Sequence, residues 1–228
     1  MRVTLHAWPK PMPLSIVTQI VSVVNTAFED LRVRRSDLRM RYGPKLQHDE
    51  DFVSAIRANH SERASFTVII ADDEGQVRAT ASCVERGDHD GNGRSTAVAL
   101  AQSSSSPSPS PWACDVPREA DVQDWELKMV AVHPSWQKRG VASLLLAAVE
   151  KEIMARAVRL GQQDHAAAAS CGQSPSLPPK RGSRLVLSTI KEVGGPVFAR
   201  HGFIEHHFFK RGEGCRFHIA YMSKELVR

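Results

Sequence analysis

The sequence has few cysteines, and none of them are spaced as a metal site requires. The four cysteines, Cys83, Cys114, Cys171 and Cys215, lie far apart along the chain. There is no CxxC motif and no Cys/His ligand pattern, so we expect no zinc or other metal site. So small a number also excludes a disulfide scaffold and favours a reducing compartment.

Long apolar runs are missing as well. The segment Met1–Pro9 has no apolar core of the kind that a secretory signal needs. The stretch Leu14–Phe28 is interrupted by polar residues such as Thr18 and Asn25, and it is too short to span a bilayer. We therefore expect a cytoplasmic protein with no membrane partner, with a nuclear location as the alternative.

The charge pattern gives no signature of nucleic-acid binding. The net charge is +5, but the basic residues are scattered, and their densest cluster lies between Arg32 and Lys45. No aromatic stacking motif interleaves that cluster. A surface that attracts an anionic small molecule explains it as well, so we expect no nucleic acid partner.

Periodicity predicts a mixed α/β chain that forms a single domain over residues 1–228. Two low-complexity segments, residues 86–122 and 161–182, are rich in Ser, Gly, Ala or Pro and are expected to be insertions between elements. The predicted helices are Leu14–Leu31, Asp49–Asn59, Gly140–Leu160 and Val193–Arg200. The predicted strands are Arg2–Trp8, Phe66–Ala71, Gln76–Glu85, Trp125–Val132, Arg184–Ser188, Phe203–Lys210 and Arg216–Ser223.

The turn Gln137–Ala142 carries the strongest chemical signal. It joins a predicted strand, closed by His133 and Pro134, to a long predicted helix. A helix N-terminus presents unpaired N–H groups and partial positive charge, which suits a phosphate. Gly140 allows close approach of the backbone. The chain has neither GxxxxGK[ST] nor GxGxxG at this point, which excludes a nucleotide P-loop and a Rossmann turn.

This turn resembles the [Q/R]-x-x-G-x-[G/A] signature of the GNAT superfamily of N-acetyltransferases. The preceding strand Glu126–Val132 with its His-Pro end, and the later Gly202-Phe203 pair, are similar to that family too. The resemblance implies the GNAT acyl-CoA N-acyltransferase fold. Its twisted sheet is mostly antiparallel and flanked by helices, and one parallel pair of strands splays apart.

The resemblance also implies acetyl-CoA as cosubstrate and a set of residues that hold it. The pantetheine arm is expected along the backbone of Met129, Val130 and Val132. Phe198, at the position where many family members have a tyrosine, is expected beside the cofactor. The pyrophosphate is expected on backbone amides of the turn, at about Arg139, Gly140, Ala142 and Ser143. Gln137, Lys138 and Val141 complete the set of residues expected to bind the cofactor.

The sequence offers fewer candidates for catalysis than for cofactor binding. Amide formation needs a neutral amine, so a base is useful. Glu126 matches the strand position where family members place one, and a solvent-facing carboxylate at the strand start is the alternative. Phe198 cannot protonate the leaving thiolate. Tyr221 is a candidate acid, beside Ser188, Thr189, water or unassisted departure. His133 is a second candidate base, and the adjacent His206 and His207 are expected on opposite faces of a strand.

The function that the resemblance implies is transfer of an acetyl group from acetyl-CoA to a primary amine of a small molecule, by a monomer or homodimer. One alternative is acetylation of protein lysines or N-termini, which makes a peptide amine the acceptor. An alternative of another class is an acetyl-CoA-binding module with impaired catalysis, because the tyrosine is replaced.

Overall fold

The computed structural model describes residues 1–7, 12–38, 65–86, 122–171, 182–210 and 216–226. Short 3₁₀ turns cover Ser36–Leu38 and Pro134–Trp136. The three described helices are α1 (Leu14–Arg34), α2 (Val141–Cys171) and α3 (Gly194–Arg200). The strands are β1 (Arg2–Ala7), β2 (Phe66–Ala71), β3 (Val77–Glu85), β4 (Val122–Val132), β5 (Gly182–Ile190), β6 (Ile204–Lys210) and β7 (His218–Leu226).

The seven strands form one sheet in the order β1-β2-β3-β4-β5-β7-β6. All neighbours pair antiparallel except β4 and β5, which are parallel because α2 carries the chain back between them. The predicted mixed α/β class and the mostly antiparallel sheet are therefore confirmed.

Helices cover both faces of the sheet. Apolar residues of α1, spaced three and four apart, pack on β2, β3 and β4 around Ile20, Val24 and Ile69. Leu145, Val149 and Ile153 of α2 pack on the other face in the largest apolar cluster, which also includes Phe198 of α3. The residues between β4 and α2 thus connect a central strand to the helix that covers one face of the sheet.

The parallel pair β4 and β5 is joined over only part of its length. Register partners run from Val122 with Gly182 to Glu126 with Val186, and there the ladder ends. Both strands continue, β4 to Val132 and β5 to Ile190, without pairing to each other. The two strands therefore diverge beyond Glu126, as the family resemblance implies.

A bulge changes the side-chain pattern of β4 just past this point. Lys128 lies opposite Ser82 of β3, but the next aligned pair is Ala131 with Thr80, so two residues of β4 face one of β3. Met129 has a positive φ of 50°. The extra residue places Leu127 with the α2 core and Met129 with the α1 cluster.

A buried ion pair fastens the joined end of the pair. Asp124 of β4 accepts two hydrogen bonds from Arg184 of β5, at 2.8 Å from Nε and 3.1 Å from Nη2. The side chains are only 4% and 5% exposed. Because they are register partners, the pair holds the strands together two residues before they separate.

Other element boundaries differ from the predicted ones. Helix α2 continues past the predicted end at Leu160 to Cys171, through the alanine run. Strand β4 begins three residues earlier than predicted, at Val122. Trp8, the helix predicted at Asp49–Asn59 and most of the predicted insertions lie outside the described residues. No described helix is both long enough and apolar enough to cross a membrane.

Candidate functional site

The turn between β4 and α2 has the backbone that a close approach requires. Lys138 and Gly140 both adopt positive φ, 61° and 76°. A Cβ built on Gly140 would have no atom within 4 Å, so the space in front of it is open. The side chain of Val141 is buried and anchors the helix start, whereas Lys138 and Arg139 are exposed. The turn is thus fixed on one side and open on the other.

Side chains around the turn tie it to its neighbours. Gln137 Nε2 donates to the carbonyl of Val132 at 3.1 Å, so this side chain reaches back to the end of β4. Ser143 Oγ lies 3.4 Å from Nε2 of His201, which connects the first turn of α2 to the end of α3. His133 contacts Ser135 Oγ through Nδ1 at 2.8 Å and shapes the 3₁₀ turn.

Two arginines approach one indole ring beside the turn. The Cζ of Arg139 is 5.7 Å from the centroid of Trp136, and that of Arg78, on β3, is 5.9 Å away. Arg78 also donates from Nε to Asp72 at 2.6 Å. Burial acts to raise the pKa of Asp72, but hydrogen bonds from Gln76 N–H and Arg78 outweigh it and hold that pKa below its usual range.

We expect Gly140→Ala to weaken cofactor binding roughly tenfold or more, since one lost hydrogen bond to a charged group costs about 1.5–3 kcal/mol. The added methyl would occupy the open approach, and the left-handed φ would cost about 1–2 kcal/mol of folding stability. Calorimetric titration with coenzyme A measures the first effect, and urea unfolding measures the second.

Gly75→Ala is the matched control for this change. Gly75 has φ of 79°, and likewise nothing lies within 4 Å of an added Cβ, but it belongs to the β2–β3 turn. Its variant should lose similar folding stability and keep full affinity. Equal affinities for the two variants would remove Gly140 from the binding turn.

Glu126 lies where the parallel ladder ends. Its register partners are Val84 on β3 and Val186 on β5. Its side chain is 17% exposed, and Oε2 is 3.3 Å from Nζ of Lys128. The carboxylate is therefore half-buried between two valines at the closed end of the gap, rather than pointing freely into water at the strand start.

Lys128 was not singled out from the sequence, although a signal for it exists. Residues two apart on a strand point to the same face, so Glu126 and Lys128 were bound to be neighbours. Arg78 had no comparable signal, because it comes near the turn only through the pairing of β3 with β4. The alternation of side chains along β4 thus predicts that Lys128 lies beside Glu126. No local pattern predicts that Arg78 lies beside the turn.

Tyr221 lies on the same sheet face as Glu126 but two strands away. It is 2% exposed, packs with Val186 and stacks on Phe209 at 5.7 Å. The ring of His207 lies 4.5 Å from it. Phe198 is buried in the α2 core and meets Phe203 edge-on at 5.4 Å. The structure places Val186 between the two sequence-predicted catalytic candidates.

His206 and His207 do not face opposite sides of β6, so that expectation was wrong. A bulge lies between Glu205 and His207. His206 Nε2 reaches Ser223 Oγ at 2.6 Å and His207 stacks on Tyr221, and both of these partners point to one face of β7. Across the described ranges, no three His, Cys, Asp or Glu side chains come together as a metal-binding group.

A further polar group lies beyond the end of β5. Glu192 accepts from the N–H and Nδ1 of His218, the latter at 2.7 Å. Burial acts to raise the pKa of Glu192, but these hydrogen bonds outweigh it and hold that pKa below its usual range. Lys191 pairs with Glu205 at 2.6 Å and lies over the ring of Phe208. These contacts fix the segment that leads into α3.

Comparison with known proteins gives a family and a fold. A sequence model described as the Acetyltransferase (GNAT) family matches residues 31–171, more than half of the chain. A comparison with curated proteins found no match. The matched region includes β4, the turn and α2, which contain every residue expected at the turn.

Similar solved structures span the whole chain at low identity. The ribosomal-protein-S18-alanine N-acetyltransferase of Escherichia coli has a TM-score of 0.51 and 11% identity, over 100% of this chain and 96% of that one. An aminoglycoside 6'-acetyltransferase type Ii gives 0.51 and 11%, over 100% and 99%. A Corynebacterium glutamicum protein described as histone acetyltransferase HPA2 and related acetyltransferase gives 0.51 and 16%, over 100% and 98%. At these identities the likeness concerns the fold.

Proposed function

Because the chain belongs to the GNAT family of acetyltransferases, we propose that it transfers an acetyl group from acetyl-CoA to a primary amine of a small molecule. The observation that carries this proposal is the position of Glu126. The only carboxylate at the closed end of the described β4–β5 gap lies on the strand that leads directly to the phosphate-binding turn.

The residues around the gap fit the shape and charge of coenzyme A. The turn offers an open glycine and helix N–H groups to a pyrophosphate. The bulge leaves Met129 and Val130 outside the regular pairing with β3, and the divergence of β5 leaves their other edge open over the described strands. Backbone groups of Met129, Val130 and Val132 are therefore suited to an amide-containing arm.

When bound, acetyl-CoA supplies the activated acetyl thioester. Glu126 accepts a proton from the amine, because only a neutral amine has the lone pair that attacks a carbonyl, and a free alkyl ammonium has a pKa of about 10. Lys128 holds one carboxylate oxygen of Glu126 and orients the other. Val84 and Val186 flank Glu126 on the neighbouring strands, and its side chain is only 17% exposed to water.

The departing thiolate does not require the missing tyrosine. Thiols have a pKa of about 8.5, so a thiolate is a good leaving group without an acid. Phe198 occupies the tyrosine position and offers only an apolar surface. Tyr221 has a hydroxyl on the same face as Glu126, and it is the side chain that we assign as the alternative proton donor.

The acceptor is expected to present its amine on a narrow, unbranched arm, because the side chain of Glu126 is only 17% exposed. Small primary amines meet this demand, and the lysine side chain of a peptide meets it too.

The test is a panel assay with the purified chain and acetyl-CoA, in which release of coenzyme A is measured against small primary amines, lysine peptides and peptide N-termini. We expect turnover with at least one small amine. Turnover with peptides alone would replace the small-molecule acceptor by a protein. Binding of acetyl-CoA without turnover on any amine would favour the binding module.

A further inference from the structure

The cluster Arg78–Trp136–Arg139 is not explained by the acetyl transfer itself. Trp136 packs its half-buried ring against the edge of the main core, just before the turn. Both arginines lie within 6 Å of that ring. Two cations against one indole repel each other, so a structural role for the ring would be served better by one of them.

The two arginines differ in whether a neighbouring carboxylate neutralises their charge. Arg139 forms no ion pair with any carboxylate of the described chain, and its guanidinium lies 5.7 Å from the indole centroid. Arg78 uses Nε for Asp72, and its two terminal nitrogens donate to no other described side chain. The cluster therefore has net positive charge beside the turn, with guanidinium donors that no described side chain uses.

A guanidinium with free terminal nitrogens recognises phosphate bidentately. An indole beside it can hold the guanidinium plane in place. Coenzyme A offers such a phosphate, because its adenosine has a 3′-phosphate in addition to the pyrophosphate. Since the adenosine is joined directly to the pyrophosphate, a pyrophosphate held at the turn would bring the 3′-phosphate near the cluster, which adjoins the turn.

We propose that Arg139 and Arg78 bind the 3′-phosphate of coenzyme A and that Trp136 positions the two guanidinium groups for it. This inference rests on the proposed function, because it concerns the same cosubstrate. It adds a specificity for the phosphorylated cofactor that involves β3 as well as the turn.

The experiment compares coenzyme A with 3′-dephospho-coenzyme A by calorimetric titration of the full chain. We expect the unaltered chain to bind coenzyme A roughly ten- to a hundredfold more tightly. Arg139→Gln and Arg78→Gln should each weaken coenzyme A binding by about tenfold and leave dephospho-coenzyme A binding nearly unchanged. Trp136→Leu should also reduce the ratio of the two affinities, because the guanidinium groups would lose the ring that positions them.

Two further variants distinguish recognition of the 3′-phosphate from effects on folding and from effects of overall positive charge. Arg78→Lys keeps the ion pair with Asp72 but loses the planar fork, so it should stay folded and still show a reduced preference. Lys151→Gln removes one positive charge from an exposed position on α2 and should change neither affinity.

The outcomes distinguish this inference from the proposed function. Equal affinity of the unaltered chain for both ligands would overturn the inference alone. Equal weakening of both ligands in the Arg139 and Arg78 variants would also overturn it, since the arginines would then support the turn generally. If the unaltered chain bound neither ligand, the acetyl-CoA function itself would fail, and the inference with it.

Discussion

Replacing Glu126 by glutamine should lower kcat roughly a hundredfold or more while the affinity for coenzyme A stays nearly constant. Glutamine has almost the same shape and can still fill the space between Val84 and Val186. It cannot accept a proton from the attacking amine. The loss should therefore appear in the chemical step, and steady-state kinetics together with calorimetric titration would measure both quantities.

The pH dependence of this variant gives a second measurement. A general base acts only in its deprotonated form, so the activity of the unaltered enzyme should fall towards acidic pH. The variant should lack that limb of the profile and recover some activity at high pH, where more of the amine is already neutral.

Glu225→Gln is the control for this prediction. Glu225 lies on β7, is exposed and pairs in register with Arg184, away from the open part of the gap. Its variant should keep full activity. A fully active Glu126 variant would transfer the role of base to another group, and His133 would then be the next residue to change.

Replacing Asp124 by asparagine should destabilise the fold by about 3–5 kcal/mol. The substitution removes the negative charge beside an Arg184 side chain that is 5% exposed. A buried guanidinium that loses its carboxylate retains the desolvation cost without the compensating attraction. Equilibrium unfolding in urea, with the slope of the transition checked for constancy, would measure the change in the free energy of unfolding.

The surface pair Asp30–Arg34 on α1 supplies the comparison. Its ion pair is 2.8 Å long, and its side chains are 25% and 48% exposed. Asp30→Asn should change stability by less than about 1 kcal/mol, because exposed ion pairs contribute little. If both variants lost a similar free energy of unfolding, burial of the Asp124–Arg184 pair would not increase its contribution to stability.

The Asp124 variant should also affect the active site. Asp124 precedes Glu126 by two residues on the same face of β4, and its ion pair closes the ladder from which the strands diverge. A looser joined end would let Glu126 shift relative to Val186. Reduced turnover in the folded population, measured at low temperature where the variant remains native, would reveal this coupling.

The fold was readable from the sequence wherever local pattern and tertiary environment agree. Helix α1 begins at Leu14, as its apolar period predicted, and β2 runs over Phe66–Ala71 as its β-branched composition predicted. The turn at Gln137–Ala142 stood out because its glycine and its flanking strand and helix all pointed to one backbone geometry. Such agreement makes a segment recognisable without its neighbours.

The bulges were not readable. Alternation assumes one residue of a strand for each residue of its partner, and the extra residues at Met129 and at His206 break that assumption. Each bulge moved the following side chains to the other face. The stacking of His207 on Tyr221 and the placement of Met129 therefore had to come from the partner strands, which the local sequence does not encode.

In the candidate site, too, some contacts follow from local periodicity and others from long-range strand pairing. Glu126 and Lys128 share a face by simple period, so their contact follows from the sequence. The approach of Arg78 to Trp136 depends on the register of β3 against β4, and the position of Tyr221 depends on the order of β5 and β7. Long-range pairing decides which residues meet, and no short motif records it.

The adjacent starts of β4 and β5 have a consequence for how this chain can change in length. Val122 and Gly182 are register partners, and a low-complexity segment precedes each of them in the sequence. The turn follows the opposite end of β4, about 35 Å away for an 11-residue strand. Segments can therefore lengthen or shorten before these strands at small entropic cost without displacing the turn. The same two junctions are suitable places to attach a reporter or a surface tether.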